Sequence, residues 1–430
     1  MKISPRFRVL LRRYVLFPLL PVAALVIVLT LVLGGLEKAD VIDTERPDDL
    51  VAYKPINFAP VKEENGRKLV RIDEPTMVPE TFSLKPEPGV MRIVVTGGSF
   101  AMGWPYAVQG RERRGGDLPS WLEVLLKAGW PQRKFEVINA AAGAQNSFRV
   151  KHVVHAALQW SPDVLVVMVG NNEGYVPPTS WNEILHEWTF YRAMKKALLP
   201  DVAPEKRPMY PAIGVGMKTI RAQFQRNMRD IVTMSRDAQV PIVVATVPIN
   251  LRYFPTAEEY LPPDKPWYAE GRRLQESGRY EEAIRKYIGG DLRGYGLRLS
   301  GQCYEALEQW NRARAAYRAG VEYLPFSQTR PSFNEFVREL ADDLDLPLVD
   351  LERDFEKQSP HGITGDRWFI DGCHLDWRGY YFTARRVLAA LEVADLVTGR
   401  RTGELPEAED YAVSHDLIDY METTQPARLP

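Results

Sequence analysis

The chain has 430 residues, 45% of them apolar and 26% charged, a composition that supports a folded core and leaves room for two or three units. Lys and Arg (55) balance Asp and Glu (56) to a net charge of −1, and no basic field appears beyond the N-terminus, which argues against a nucleic-acid partner. Cys303 and Cys373 are too few for a disulfide framework, and the six histidines form no His-Glu-x-x-His pattern, so no metal or organic cofactor is expected.

In chain order, residues 1–36 come first. Lys2, Arg6, Arg8, Arg12 and Arg13 precede an uncharged run from Tyr14 to Leu36. That run of about 23 residues is long enough to cross a hydrocarbon layer of about 30 Å. A positive flank on its N-terminal side predicts a cytoplasmic N-terminus and an exported remainder. The competing reading is a cleaved signal peptide, for which Leu-Gly-Gly-Leu-Glu-Lys is a poor cleavage site; a retained anchor through residues 14–36 is preferred. Residues 37–88, rich in Pro and charge, read as a juxtamembrane linker with one or two edge strands.

From residue 89 the pattern alternates between strand and helix. Short Val- and Ile-rich runs at Ile93–Thr96, Val137–Asn139, Val164–Val169, Ile242–Val247 and Leu348–Leu351 read as strands. Amphipathic stretches at Ser120–Ala128, Ser147–Trp160, Met217–Ala238 and Pro331–Leu344 read as helices between them. The fold expected is α/β, a flavodoxin-like three-layer α/β/α sandwich around a parallel sheet, carried by residues 89–255 and 326–398.

Residues 256–325 interrupt that alternation. Gly271, Leu274, Gly278, Tyr280, Ala283 and Tyr287 recur thirty positions on as Gly301, Tyr304, Glu308, Trp310, Ala313 and Tyr317, which marks a helical repeat. The stretch Gly278–Ile284 and the closing Leu324-Pro325 resemble tetratricopeptide repeats. Two repeats are fewer than usually stand alone, so the unit should lean on the main domain, either as a plain insert or as a site for a protein partner. Residues 399–430 read as a polar tail, with an acidic amphipathic helix over Glu409–Met421.

Four patterns fall at the ends of predicted strands. They are Gly97-Gly98-Ser99, Asn139-Ala140-Ala141-Ala142-Gly143, Gly170-Asn171-Asn172-Glu173 and, near the C-terminus, Asp371-Gly372-Cys373-His374. In order and spacing they resemble the sequence blocks of the SGNH (GDSL-like) hydrolases from about residue 91 to 395, with the repeat unit as an insertion. Two positions depart from that pattern: Glu173 stands where many members have Asp, and Gly98 where many have the Asp of Gly-Asp-Ser.

The chemistry of each position points the same way. A serine hydroxyl needs a base to take its proton, and imidazole, with an ordinary pKa of about 6.5, suits that task at neutral pH. Asp371, three residues before His374, can fold back to orient the ring. The backbone N–H groups of Ser99 and Gly143 and the Asn172 amide would form the oxyanion hole. Each residue also has a plain structural reading as a cap, a turn or a surface pair, but jointly those readings require four coincidences in order. His152 and His155 lack a carboxylate at suitable spacing and read as packing or solvent-exposed residues. Cys373 is assigned a passive role, and Trp104, Tyr106, Trp368 and Trp377, which flank the motifs, read either as the lining of a substrate groove or, by preference, as core aromatics.

The expected activity is hydrolysis of an ester, such as an acylated cell-envelope glycan, by a membrane-anchored serine esterase. Transfer of the acyl group to another acceptor uses the same residues. An accessory subunit that binds a protein through residues 256–325 is the alternative from another class.

Overall fold

The computed structural model describes residues 17–39, 41–44, 59–64, 67–74, 76–108, 115–173, 185, 188–199, 217–254, 265–290, 294–323 and 328–418. The chain divides into two compact units, Met1–Pro55 with Val176–Met209, and Ile56–Tyr175 with Tyr210–Pro430.

In the first unit, helix Phe17–Lys38 contains a window, Leu20–Lys38, of mean hydropathy 2.3 with none of it buried, long and apolar enough to cross a membrane. In its last turn Glu37 pairs with Arg192, and beyond it Asp43 Oδ2 lies 3.0 Å from Lys196 Nζ, both cations on helix Thr189–Leu198.

The second unit is built on a five-stranded sheet of β4 (Val90–Gly97), β5 (Lys134–Asn139), β6 (Val164–Met168), β7 (Ile242–Ala245) and β8 (Leu348–Val349). The strands run in the order β5-β4-β6-β7-β8, and every pair is parallel. Numbered along this sheet, the order is 2-1-3-4-5, the flavodoxin-like arrangement, whose switch point lies between β4 and β6. Both faces are covered because the strands are apolar on both. Ile93 and Val95 pack with helices Leu118–Gly129 and Trp377–Val393, while Val94 packs with helices Ser147–Ala157, Met217–Asp237 and Pro331–Asp343. The three-layer sandwich follows.

Caps fix where the helices begin. Asp117 accepts from Ser120 N, Asn146 from Arg149 N and Asp376 from Gly379 N, each in the position that satisfies an otherwise unpaired N–H of the first turn. Gly97 ends β4 at φ +154°, and a Cβ there would collide with the Met168 carbonyl, so only glycine lets β4 finish against β6.

The stretch read as a linker is more structured than one or two edge strands. β1 (Ala59–Glu64), β2 (Arg67–Ile72) and β3 (Glu80–Ser83) form a three-stranded antiparallel sheet. Val70, Ile72 and Phe82 from it join the core beside Val94. Arg92 of β4, fully buried, donates to the carbonyls of Ser83, Leu84 and Trp160 and pairs with Glu136 at 2.6 Å, tying the small sheet to the large one. Three apolar residues spread over two short strands in a charged context give too faint a period to reveal this.

Between β7 and β8 lie helices Pro266–Glu276, Tyr280–Gly290, Tyr295–Ala306 and Trp310–Tyr323. The thirty-residue repeat is physical: Tyr287 Oη donates to Gln275 Oε1 at 2.7 Å, and Tyr317 Oη donates to Glu305 Oε2 at 2.9 Å. Each tyrosine ring also fills the space beside a glycine, Gly271 or Gly301, where a Cβ would not fit. At the C-terminal end the helix is Ala408–Ser414, with Ala408 and Ala412 in the core; the rest of the expected helix, beyond residue 418, lies outside the described residues.

Candidate active site

The crevice at the switch point is flanked by the residues that follow β4 and β6. After β4 the chain turns at Gly98 into a single helical turn, Ser99–Met102, with Ser99 at its first position. The Ser99 N–H therefore has no partner within the turn. After β6 come Gly170, Asn171, Asn172 and Glu173, the last three buried.

His374 reaches this place from the loop before helix Trp377–Val393. Its Nε2 lies 2.7 Å from Ser99 Oγ, and its Nδ1 lies 2.7 Å from Asp371 Oδ2. With the ring proton on Nδ1, donated to the carboxylate, Nε2 is left to accept from the Ser99 hydroxyl. Asp371 Oδ1 accepts from the N–H groups of Cys373 at 2.8 Å and His374 at 2.7 Å, so one carboxylate shapes the loop and holds the ring together. Burial acts to raise the Asp371 pKa, but the bonds with His374 and these N–H groups outweigh it and hold the carboxyl below its usual value.

Two groups pack on the imidazole. The Trp104 ring centroid is 4.7 Å from that of His374, and the indole is 37% exposed, so Trp104 is a wall of the site and not a core residue as expected. Tyr106 and Trp377 are buried as expected, with Tyr106 Oη accepting from Trp377 N at 2.8 Å. Cys373 Sγ lies 3.5 Å from His374 Nδ1 and 3.7 Å from Nε2, closer than a passive loop residue was expected to come. Burial, together with the Asp371 charge, pushes this thiol well above its ordinary value. Asp371, Cys373 and His374 offer donor atoms within 4.8 Å of one another, the one such group among the described residues. A thiol must lose its proton to ligate a metal, and the upward shift opposes that.

The oxyanion donors differ from expectation at one position. Gly143 N–H donates to the Thr76 carbonyl at 2.8 Å, because the segment after β2 crosses over this loop and forms an antiparallel bridge between Met77 and Ala142. The Gly143 N–H is thus engaged by Thr76. Asn172 Nδ2 donates to the Gln145 carbonyl at 3.0 Å, which fixes the amide and leaves its second N–H. The same nitrogen sits 3.0 Å from where a Cβ on Gly98 would be, beside the serine turn.

Glu173, next to Asn172, is buried. It accepts from Ser147 N at 2.6 Å and Ser147 Oγ at 2.8 Å, linking the loop after β6 to the helix after β5. Burial is the largest influence on it and pushes its pKa up to about 7, against the Ser147 bonds and the charge of Arg330. His152 packs edge-on against Phe148 at 4.8 Å. Gln145 and Thr76 escaped the sequence reading, since neither carries a motif and both act through their backbone carbonyls.

No family model and no curated protein matches the sequence. Solved structures do. The chain is similar to an Axe2 mutant, an acetyl-xylooligosaccharide esterase from Geobacillus, with 12% identity and a TM-score of 0.37 over 73% of this chain and 97% of that one. It is similar to the acetyl xylan esterase AlAXEase, with 15% identity and a TM-score of 0.36 over 70% of this chain and all (100%) of that one. It is also similar to a GDSL-like lipase from Bacteroides thetaiotaomicron, with 11% identity and a TM-score of 0.33 over 70% and 88%.

Proposed function

We propose that the protein is a serine esterase of the SGNH type. The observation that carries this reading is the continuous chain Ser99 Oγ, His374 Nε2, His374 Nδ1, Asp371 Oδ2, with 2.7 Å at both links. Ser99 attacks the ester carbonyl while His374 Nε2 takes its proton, and Asp371 stabilises the imidazolium. The tetrahedral oxyanion is met by Ser99 N–H and the second N–H of Asn172. On collapse the alcohol leaves with the proton from His374, and an acyl group remains on Ser99. Water, deprotonated in turn by His374, attacks that acyl group and releases the acid and the free serine.

Helix Phe17–Lys38 serves in this reading as a membrane anchor, and the basic residues before it keep the N-terminus in the cytoplasm. An exported esterase held at a membrane suits an acylated envelope glycan. If a sugar hydroxyl replaces water in the second step, the same residues transfer the acyl group.

The test is the full chain in mild detergent, treated with a fluorophosphonate probe and assayed with a short-chain aryl ester. Wild type should label and turn over, and Ser99→Ala should do neither. Equal turnover in the two removes the proposal. The helical hairpins between β7 and β8 favour a second role as a platform for a protein partner, which co-purification in stoichiometric amount would reveal.

A further inference from the structure

The helical insertion is wired to the loop that carries Asp371 and His374. Asn250, fully buried just after β7, donates its Nδ2 to the Asp371 backbone carbonyl at 2.9 Å. Gln328, 1% exposed, donates its Nε2 to the Asn250 carbonyl at 2.6 Å. Arg298, fully buried on the third insertion helix, donates its Nη2 to Gln328 Oε1 at 2.9 Å and its Nη1 to the Tyr253 carbonyl at 2.7 Å. Tyr253 itself packs on Gly372, where a Cβ would meet its ring at 2.8 Å.

Two routes thus run from Arg298 to the segment Asp371-Gly372, one through Gln328 and Asn250 and one through Tyr253. A charged guanidinium is costly to bury, and burial pulls the Arg298 pKa down to about 9, so its fixed bonds set the distance between insertion and loop. Thr329, next to Gln328, also abuts Gly170 at the start of the oxyanion loop. The exit of the insertion therefore touches the supports of both halves of the site.

We infer that Arg298, Gln328 and Asn250 are positioning residues for the reaction, so that the insertion is a working part of the catalytic site and not an appendage. The inference rests on the esterase reading of Ser99 and His374. Misplacement of a catalytic group by about 1 Å can cost on the order of 100-fold in rate. Loosening this relay should therefore lower turnover per intact site while leaving substrate binding alone.

The experiment uses the full chain in detergent, with Arg298→Met, Gln328→Met and Asn250→Ala, and with Tyr287→Phe as a control inside the insertion. Fluorophosphonate titration counts the sites that can react, and ester turnover is then expressed per titrated site. The expected result is kcat per site down about tenfold or more with KM within about twofold, and no change in kcat per site for Tyr287→Phe. Arg298→Met with Gln328→Met should cost little more than the worse single change, since both cut one relay.

Variants that lose titratable sites but keep wild-type kcat per site overturn the inference, because that is the signature of a merely structural role. So does a rise in KM with kcat unchanged. Should the Met variants not fold, Arg298→Lys and Gln328→Glu are read by the same criterion. No labelling of the wild type overturns the esterase reading and this inference together, whereas a labelled wild type with unaffected relay variants overturns the inference alone.

Discussion

His374 Nε2 lies 2.7 Å from Ser99 Oγ although 275 positions separate the two residues. The sheet achieves this by bringing the end of β4 and the loop before helix Trp377–Val393 to the same rim, and Asp376 pins that helix through its bond to Gly379 N. The geometry makes specific demands on each partner.

Asp371→Asn should keep the loop and lose the chemistry. An amide oxygen can still accept from the N–H groups of Cys373 and His374, but the amide nitrogen facing Nδ1 favours the wrong tautomer. Turnover should fall by about 10³–10⁴-fold with the thermal midpoint nearly unchanged, as steady-state kinetics and a melting curve would report.

Asn172→Ala should cost about 10²–10³ in kcat, the loss typical of one oxyanion donor. The variant also frees the Gln145 carbonyl, so some loss of stability accompanies it. A kcat within threefold of wild type would remove Asn172 from the oxyanion site.

Glu173 gives the fold a pH dependence whose sign can be worked out. Its carboxyl is raised from an ordinary 4.5 to about 7 in the folded protein, chiefly by burial. The folded state therefore holds this proton more tightly than the unfolded chain. The stability it contributes is full below about 4.5 and is lost as pH rises to about 7, at most about 3 kcal/mol. Glu173→Gln should flatten that part of the profile, so that denaturant midpoints of variant and wild type differ more at pH 8 than at pH 4.5.

The thiols should be silent. Burial raises Cys303 to about 11 and holds Cys373 well above its ordinary value, so neither forms much thiolate near neutral pH. Iodoacetamide at pH 7.5 should leave both unmodified in the native protein and the ester turnover unchanged, with mass spectrometry as the readout.

Much of this was legible in the sequence where the signal was local. Runs such as Val164–Met168 are apolar on both faces and bounded by turns, and they became the central parallel strands. Asp371 and His374 carry their partnership in a spacing of three. What escaped depends on contacts between distant segments: the bridge of Met77 to Ala142 diverts Gly143, and no pattern in either stretch announces it. The choice for Trp104 between groove lining and core stays open in the sequence for a related reason, since an indole on a turn has the same composition whether it faces the core or an imidazole. The bonds from Arg298 to Asp371 join four segments, and two of the three links end on backbone carbonyls, which every residue possesses.

The order in which the site's parts occur along the polypeptide has a further consequence during synthesis. The nucleophile is made early, yet its proton acceptor and the wired helical hairpins come at the far side of the chain. On the esterase reading proposed above, a growing chain that already displays Ser99 lacks its proton acceptor, and turnover should begin only when the last parallel strand and the helix behind it have docked.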